Sequence, residues 1–474
     1  MSEAGGVALP PFAARVRQAL GDEGLHVALG RATAQLGSRR AAAFGSLEEA
    51  DRVRDLARQA KLELLRDLAG NLERFEERLI ANGAKVHWAA TGADANRIVL
   101  EIAKVAGVRR IVKGKSMASE ETHLNQALIQ AGLSVVETDL GEYIVQLARD
   151  RPSHIILPII HMTREKVGRV MHDTIQVPLS DDPKTLARYA REKLREEFLS
   201  ADMGITGANF GVVENGSICL VTNEGNGRMV TTLPRVHVVL MGIEKLVASL
   251  GDLDLFLKLL ARSATGQKLT VYTTLLRGPR RAEDECGASE MHVVLLDNGR
   301  SDLLSGDLAE ILGCIRCGAC LNACPIYKNI GGHAYGDTYP GPIGAIVTPG
   351  LRGLESWSEL PAASTLCGAC REVCPVRLDI PRMLLSLRGR TDRAQVAAPL
   401  LRLGLRGFGF IASRPSLYRV ATRAARFVLR GLSRGGWLRR LPGPGAGWTD
   451  VRDLKAPAAA TFQERWRAGA GKAR

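Results

Sequence analysis

An α/β fold with helical additions is predicted by three features of the sequence. Short β-branched runs alternate with helical segments from Ala84 onward, a Leu-, Arg- and Glu-rich stretch precedes them, and seven of the nine cysteines fall between Cys314 and Cys374. The alternation implies a parallel sheet covered on both faces, because each crossover helix buries one face. At 474 residues the chain has room for two or three domains with a proper core. The expected division is a helical N-terminal region at 1–80, an α/β domain at 81–298, a small, mostly α-helical cysteine-bearing domain at 299–390, and a basic helical region with a loose tail at 391–474.

Before residue 80, Gly and Pro are scarce after Gly45, and Ser46-Leu-Glu-Glu-Ala-Asp reads as a capped helix start. Apolar residues at helical spacing from Leu47 to Leu79 predict a long antiparallel pair or small bundle with a structural job. Strands are expected at Lys85-Val-His-Trp-Ala, Arg110-Ile-Val, Ser134-Val-Val-Glu and His154-Ile-Ile-Leu. Helices are expected over Ala93 to Ala106, Ser119 to Gln130 and Glu142 to Ala148, and again from Arg164.

Lys113-Gly-Lys115-Ser116-Met-Ala-Ser119 falls between a strand and a helix, where lysines and helix N–H groups receive anions. It lacks the G-x4-G-K-[ST] spacing of a Walker loop, so a plain capped turn stays open beside an anion site. His154, His161 and His172 match no metal spacing and read as hydrogen-bonded histidines. Thr206 to Arg228 reads as two extended runs around an Asn215-Gly216 turn, ending in a Gly-rich polar loop of the kind that carries binding groups. Glu214-Asn-Gly216 resembles the carboxylate loop of some CoA transferases, although the turn alone accounts for it. Cys219 belongs to an apolar run as a core thiol, and Cys286, among acidic residues, is expected to be exposed. Strands near Leu269 to Thr274 and Met291 to Leu296 flank the polar stretch Arg277 to Ser289, and a helix over Asp302 to Leu312 leads to Cys314.

Cys314-Ile-Arg-Cys317-Gly-Ala-Cys320-Leu-Asn-Ala-Cys324-Pro325 has the C-x2-C-x2-C-x3-C-P spacing of an iron-sulfur sequence, and Cys367-Gly-Ala-Cys370-Arg-Glu-Val-Cys374-Pro375 repeats most of it. Tight loops converge successive sulfurs on neighbouring irons, with Gly318 and Gly368 relieving the turns. In the crossed pattern Cys314, Cys317, Cys320 and Cys374 hold one [4Fe-4S] cluster, and Cys324, Cys367 and Cys370 serve a second that is one thiol short. Ser364 stands where the missing cysteine falls. Three completions are open: Ser364, another side chain or water finishes a [4Fe-4S] site; a [3Fe-4S] cluster forms; or Cys219 or Cys286 reaches in. The reading favoured is two [4Fe-4S] clusters, the second with a non-cysteine or missing fourth ligand, over a zinc site or disulfides. Between the cysteine groups, the Gly- and Pro-rich loop from His333 to Gly344 is expected to pack over the clusters and limit water.

Charge is divided unevenly. The net charge is +14, but Arg382 to Arg474 carries 20 Lys plus Arg against 4 Asp plus Glu, leaving the rest of the chain slightly acidic. No basic face interleaved with stacking aromatics appears, which excludes a nucleic-acid reading. The tail reads instead as a surface for an acidic partner or anionic lipid, with Leu400, Leu401, Leu403, Phe408, Phe410, Leu417, Val420, Phe427 and Leu429 set among arginines from Ala398 to Leu432. Helices packing back on the chain are the other reading. Met1 to Pro11 does not read as a signal peptide, and near-apolar stretches such as Ile155 to Met162 are far short of the roughly 20 residues of a membrane span. Free thiols grouped for metal fit a reducing cytoplasm.

These motifs carry a family resemblance. Lys115-Ser-Met-Ala-Ser-Glu-Glu, Asp139-Leu-Gly-Glu-Tyr-Ile, Thr206-Gly-Ala-Asn-Phe and Thr222-Asn-Glu-Gly-Asn-Gly-Arg resemble a lactate-utilisation (LUD) domain. Cys314 to Pro375 is similar to its ferredoxin-type insert, and Pro399-Leu-Leu-Arg-Leu-Gly to the C-terminal region, of the iron-sulfur subunit family of bacterial L-lactate utilisation systems. Ser364 looks like a variation that family tolerates. The resemblance implies a protein that, with two companion subunits, oxidises L-lactate to pyruvate and passes electrons to a respiratory acceptor. The grouped thiols and the basic tail, read from the residues, make a cytoplasmic protein the expectation, with a peripheral contact at the inner face of the membrane as one use of the tail. The residues by themselves support electron transfer and assign no catalytic group. Two rivals remain: an α/β domain acting on a hydroxy acid or acyl thioester through Glu214, Glu224 or Lys115, and a redox-sensing regulator or scaffold.

Overall fold

Six parallel strands form the main sheet of the unit that ends at Thr391. The computed structural model describes residues 9–394, 399–449 and 452–469. Its strands are β1 (Lys85–Ala89), β2 (Arg110–Lys113), β3 (Ser134–Glu137), β4 (Met203–Thr206), β5 (Phe210–Val212), β6 (Ser217–Thr222), β7 (Val236–Gly242), β8 (Leu246–Val247), β9 (Tyr272–Leu276) and β10 (Glu290–Leu296). The main sheet runs β1-β10-β7-β4-β2-β3, every pair parallel, with Val236 of β7 opposite both Met203 and Glu290. β7 is buried along its whole length, as a strand with helices on both faces must be. The α/β class stands, and a second sheet, β8-β5-β6-β9, adds antiparallel pairs that the alternation did not foretell.

Several expected elements are placed differently. Ser46 ends the Glu23–Gly45 helix and donates its hydroxyl to the Ala43 carbonyl at 2.9 Å, while the next helix, Ala50–Arg66, starts after Glu49 in the left-handed region. His154 to Leu157 is a turn rather than a strand, because the His154 Nδ1 accepts the N–H groups of Ile156 and Leu157 at 3.0 and 3.1 Å and so takes the donors a ladder needs. The Ser119 to Gln130 helix breaks at His123, whose φ is 55°. The segment from Asp302 to Leu312 divides into a short helix, Arg300–Leu304, and a 3-10 turn, Ala309–Gly313. The strand expected from Leu269 begins at Tyr272 and joins the smaller sheet. Within the Gly- and Pro-rich loop lies a buried helix, Gly341–Arg352.

One buried ion cluster joins these parts. Arg300 donates to both oxygens of Glu121 at 2.9 Å and to Glu244 at 2.6 Å, all three side chains being sealed from water. The Tyr339 hydroxyl and Asn298 amide, each at 2.7 Å, supply further donors to Glu121. The Lys61 ammonium reaches from the N-terminal helices to the carbonyls of Glu244 and Leu246 at 2.7 and 2.6 Å. The helices before residue 82 are therefore pinned to the sheet and to the cysteine region together.

Residues from Asp392 form a separate unit. Its helices Pro399–Ala412 and Pro415–Leu432 expose Leu400, Phe408, Val420 and Phe427, and Arg423 and Arg426 pair with Glu464 of the Phe462–Arg467 helix. The segment from Gly435, expected to be loose, carries a two-stranded ribbon between Trp437–Leu438 and Leu454–Lys455. The expected helix start at Ala398 lies outside the described residues, as does the first part of the Met1 to Pro11 stretch. No helix among the described residues is long and apolar enough to cross a membrane.

Arg300→Met leaves two buried carboxylates uncompensated and is expected to cost on the order of 3–5 kcal/mol in denaturant unfolding. A pH effect is also expected from β7. Burial holds the His237 imidazole down at about 4, with the Thr206 hydroxyl 2.9 Å from its Nε2. The folded state therefore stays neutral where the unfolded chain binds a proton. Stability from this group is complete above pH about 6.5 and is lost as pH falls towards 4, by roughly 3 kcal/mol. Thermal unfolding across that range should show the loss, and His237→Phe should reduce it, the buried His154 and His292 keeping the remainder.

Candidate functional site

The first cysteine group is built by one loop and one short helix. The 3-10 turn ends at Cys314, the chain turns through Arg316 at φ 59° and Gly318 at φ 73°, and Cys320 rides on the Ala319–Ala323 helix. Gly318 is required by contact as well as by φ, since a Cβ there would lie 3.1 Å from His154. Cys324 caps the Pro325–Ile330 helix, its Sγ accepting the Tyr327 N–H at 3.5 Å. In the second group, Gly368 at φ 86° starts the Ala369–Glu372 helix between Cys367 and Cys370, and Cys374 Sγ accepts the Leu378 N–H at 3.3 Å.

Folding sorts the seven thiols into two sets. Cys320 lies within electrostatic reach of Cys314, Cys317 and Cys374, and then of Cys370. Cys370 in turn faces Cys324 and Cys367. Cys374 thus crosses from the second sequence group into the first spatial set, and the two sets adjoin. Burial pushes Cys317 up to about 12 and Cys370 and Cys374 up to about 11, while Cys367 is exposed. No disulfide joins any of the nine cysteines.

The surroundings enclose most of the thiols in protein. Tyr335 is buried and faces Cys324 and Cys320, and Tyr327 is buried beneath the Cys324 turn. Arg54 donates to the carbonyls of Cys374 and Glu372 at 2.8 and 2.6 Å, and Arg40 to that of Val373 at 2.7 Å, so the N-terminal helices clamp the second loop. At Ser364 the Oγ accepts the Leu366 N–H at 3.1 Å, and Arg388 holds its carbonyl at 2.8 Å. Cys219 sits in β6 with burial alone acting on its thiol, pushed up to about 12, and Cys286 is exposed between β9 and β10.

The other candidates separate clearly. Lys113 is buried against Glu137 at 2.8 Å and Ser119 at 2.9 Å, which makes it part of the core. Lys115 pairs with Glu142 at 2.6 Å at the edge of a cavity. Glu214 accepts the Leu250 N–H at 2.9 Å and so serves the start of the Leu250–Ala264 helix. Glu224 accepts the Leu140 N–H at 3.3 Å and is raised to about 7 by burial and by Asp139. His154 bonds Asn322 and His172 bonds the Val177 carbonyl, as hydrogen-bonded histidines do, whereas His161 bonds Ser153 and Asp150 and also stands with Asp150 and His333 in a group whose ligand atoms lie within 4.8 Å of one another. The sequence reading missed Lys245 and Arg316, which meet at the cavity wall; a lone arginine inside a cysteine loop was the one signal available.

Replacing Arg40 and Arg54 together by Met is expected to raise amide hydrogen exchange over Cys370 to Leu378 by tenfold or more, about 1.4 kcal/mol of lost protection. Exchange in β7 should be unchanged.

Three family matches cover most of the chain: a LUD domain at 72–296, a 4Fe-4S dicluster domain at 310–378, and the lactate utilisation protein B C-terminal region at 387–470. Lactate utilization protein B of Shouchella clausii is 42% identical over 459 residues, covering 97% of each chain. An uncharacterized electron transport protein, YkgF, of Escherichia coli is 41% identical, covering 94% of this chain and 93% of its own. Lactate utilization protein B of Bacillus pumilus is 40% identical over 96% of each.

Proposed function

We propose, since the chain belongs to the lactate utilization protein B family, that it is the electron-transferring subunit of a multi-component system that oxidises L-lactate to pyruvate. The observation that carries this reading is the crossing of Cys374 into the set of Cys314, Cys317 and Cys320, beside a second set of Cys324, Cys367 and Cys370. The first set would hold one [4Fe-4S] cluster and the second another, with a fourth ligand near Ser364 that is not cysteine. Bound there, such clusters take up and release one electron at a time.

The chain's own residues make the rest of the site. The N–H groups of Arg316, Tyr327 and Leu378 donate to Cys314, Cys324 and Cys374, and such donors stabilise negative charge on sulfur. Tyr327 and Tyr335 exclude water from one side. The positive charge of Arg40 bears on Cys317 and Cys374. Cys367 leaves the second set open to solvent, the side from which a partner can approach. On this reading two companion subunits deliver electrons taken from lactate, and a respiratory acceptor receives them. The protein works in the cytoplasm, with the arginine-rich, apolar helices from Pro399 to Leu432 as a peripheral contact at the inner membrane face.

Anaerobic purification with iron and sulfide counting and low-temperature EPR tests the reading. About eight irons per chain are expected. About seven would replace the second cubane with a three-iron site, and iron-free or zinc-only protein would overturn the proposal. Reduction by lactate should require the companion subunits.

A further inference from the structure

A cavity of about 450 Å³ lies at the carboxyl ends of β2, β4 and β7, where open parallel sheets bind ligands. One wall is the sequence following these strands. The opposite wall is Ile315 and Arg316, inside the loop that carries Cys314 and Cys317.

Arg316 is an unusual side chain to find there. It is 7% exposed, its backbone is left-handed, and its Nε and Nη1 have no hydrogen-bond partner. Its nearest carboxylate, Glu244, stands 3.7 Å from Nη2, and the Tyr339 ring lies 4.8 Å from the guanidinium carbon. A buried guanidinium with free donors carries a desolvation cost that an anionic partner offsets. Lys245 lines the same cavity beside Arg316, with Glu244 as its carboxylate neighbour. Lys115 is committed to Glu142, and Arg300 to Glu121 and Glu244. Glu244 is thus shared by Arg300, Arg316 and Lys245, and the free Nε and Nη1 donors of Arg316 are left for a further anion. A forked guanidinium edge suits a planar carboxylate, and the apolar part of the lining suits an organic remainder that phosphate lacks. Across the cavity, Asn209, Asn226 and Glu224 offer groups for a hydroxyl or carbonyl, with Ile156 and Leu260 as apolar lining.

We propose that this cavity binds a small organic carboxylate, held by Arg316 and Lys245 directly against the cysteine loop. The inference deepens the electron-transfer reading and rests on it for one consequence: an anion at Arg316 adds negative charge beside the Cys314 set and changes its EPR signature.

Calorimetric titration of the full-length, cluster-loaded protein tests it, with L-lactate, pyruvate, a branched 2-oxo acid and inorganic phosphate as separate titrants. One carboxylate should bind with one-to-one stoichiometry and shift the EPR signal. Phosphate should bind at least about tenfold more weakly, and Lys245→Gln and Arg316→Gln should each weaken carboxylate binding by about tenfold or more. Arg316→Lys should lose less than Arg316→Gln. If Arg316→Gln fails to retain iron, Lys245→Gln decides. Iron-loaded protein that gives no heat with any carboxylate at about 10 mM, variants that bind like the parent, or phosphate binding as tightly as carboxylate would each overturn the proposal. Iron counted on the same sample separates this outcome from failure of the electron-transfer reading.

Discussion

Arg300, enclosed by Glu121 and Glu244, is the contact on which the arrangement depends. Three full charges sealed from water are tolerable only when each is paired and further bonded, so the groups supplying those bonds are held in place. They come from different parts of the chain: Glu121 from the short Met117–Glu121 helix after β2, Glu244 from the turn after β7, and Tyr339 from the loop between the cysteine groups. The cluster fixes the cysteine region on the carboxyl edge of the sheet with an orientation that apolar packing alone would leave less defined. Lys61 extends the same constraint to the N-terminal helices, which then reach the second cysteine loop through Arg40 and Arg54.

From this follows a division of labour. The parallel sheet supplies a rigid edge, the N-terminal helices supply a clamp, and the cysteine loops supply sulfur with little regular structure of their own. Helices of four to six residues around Cys320, Cys324 and Cys370 are too short to be stable in isolation and depend on their surroundings. On the proposed reading, electron transfer is thus supported by a scaffold that occupies most of the chain's length.

The cysteine spacing was legible because ligand geometry is a short-range property, written in two and three residue steps. The β-α alternation was legible for the same reason, and β1, β2, β3 and β10 lie close to where the runs of Val and Ile put them. β7 was overlooked although it is central, since a strand buried on both faces has no alternation to mark it. β8, two residues long, has no signature at all. His154 to Leu157 misled because its apolar residues suit a strand, while its donors are taken by a side chain no propensity counts. The charge pair at the cavity wall was invisible for a different reason: Lys245 and Arg316 meet only after the sheet and the cysteine loop have been brought together.

The uneven cover over the thiols has a bearing on survival in air. Cys317, Cys320 and Cys374 are buried and Cys314 is half-buried, whereas Cys367 stands at the surface. Small oxidants meet that sulfur first, and a thiol reached by peroxide moves towards sulfenic and sulfinic acids that no longer ligate. On the proposed reading, the side left open to a partner is thus also the point where aerobic damage to the ligand set begins, and the shelf life of that set follows its most accessible sulfur rather than its best protected ones.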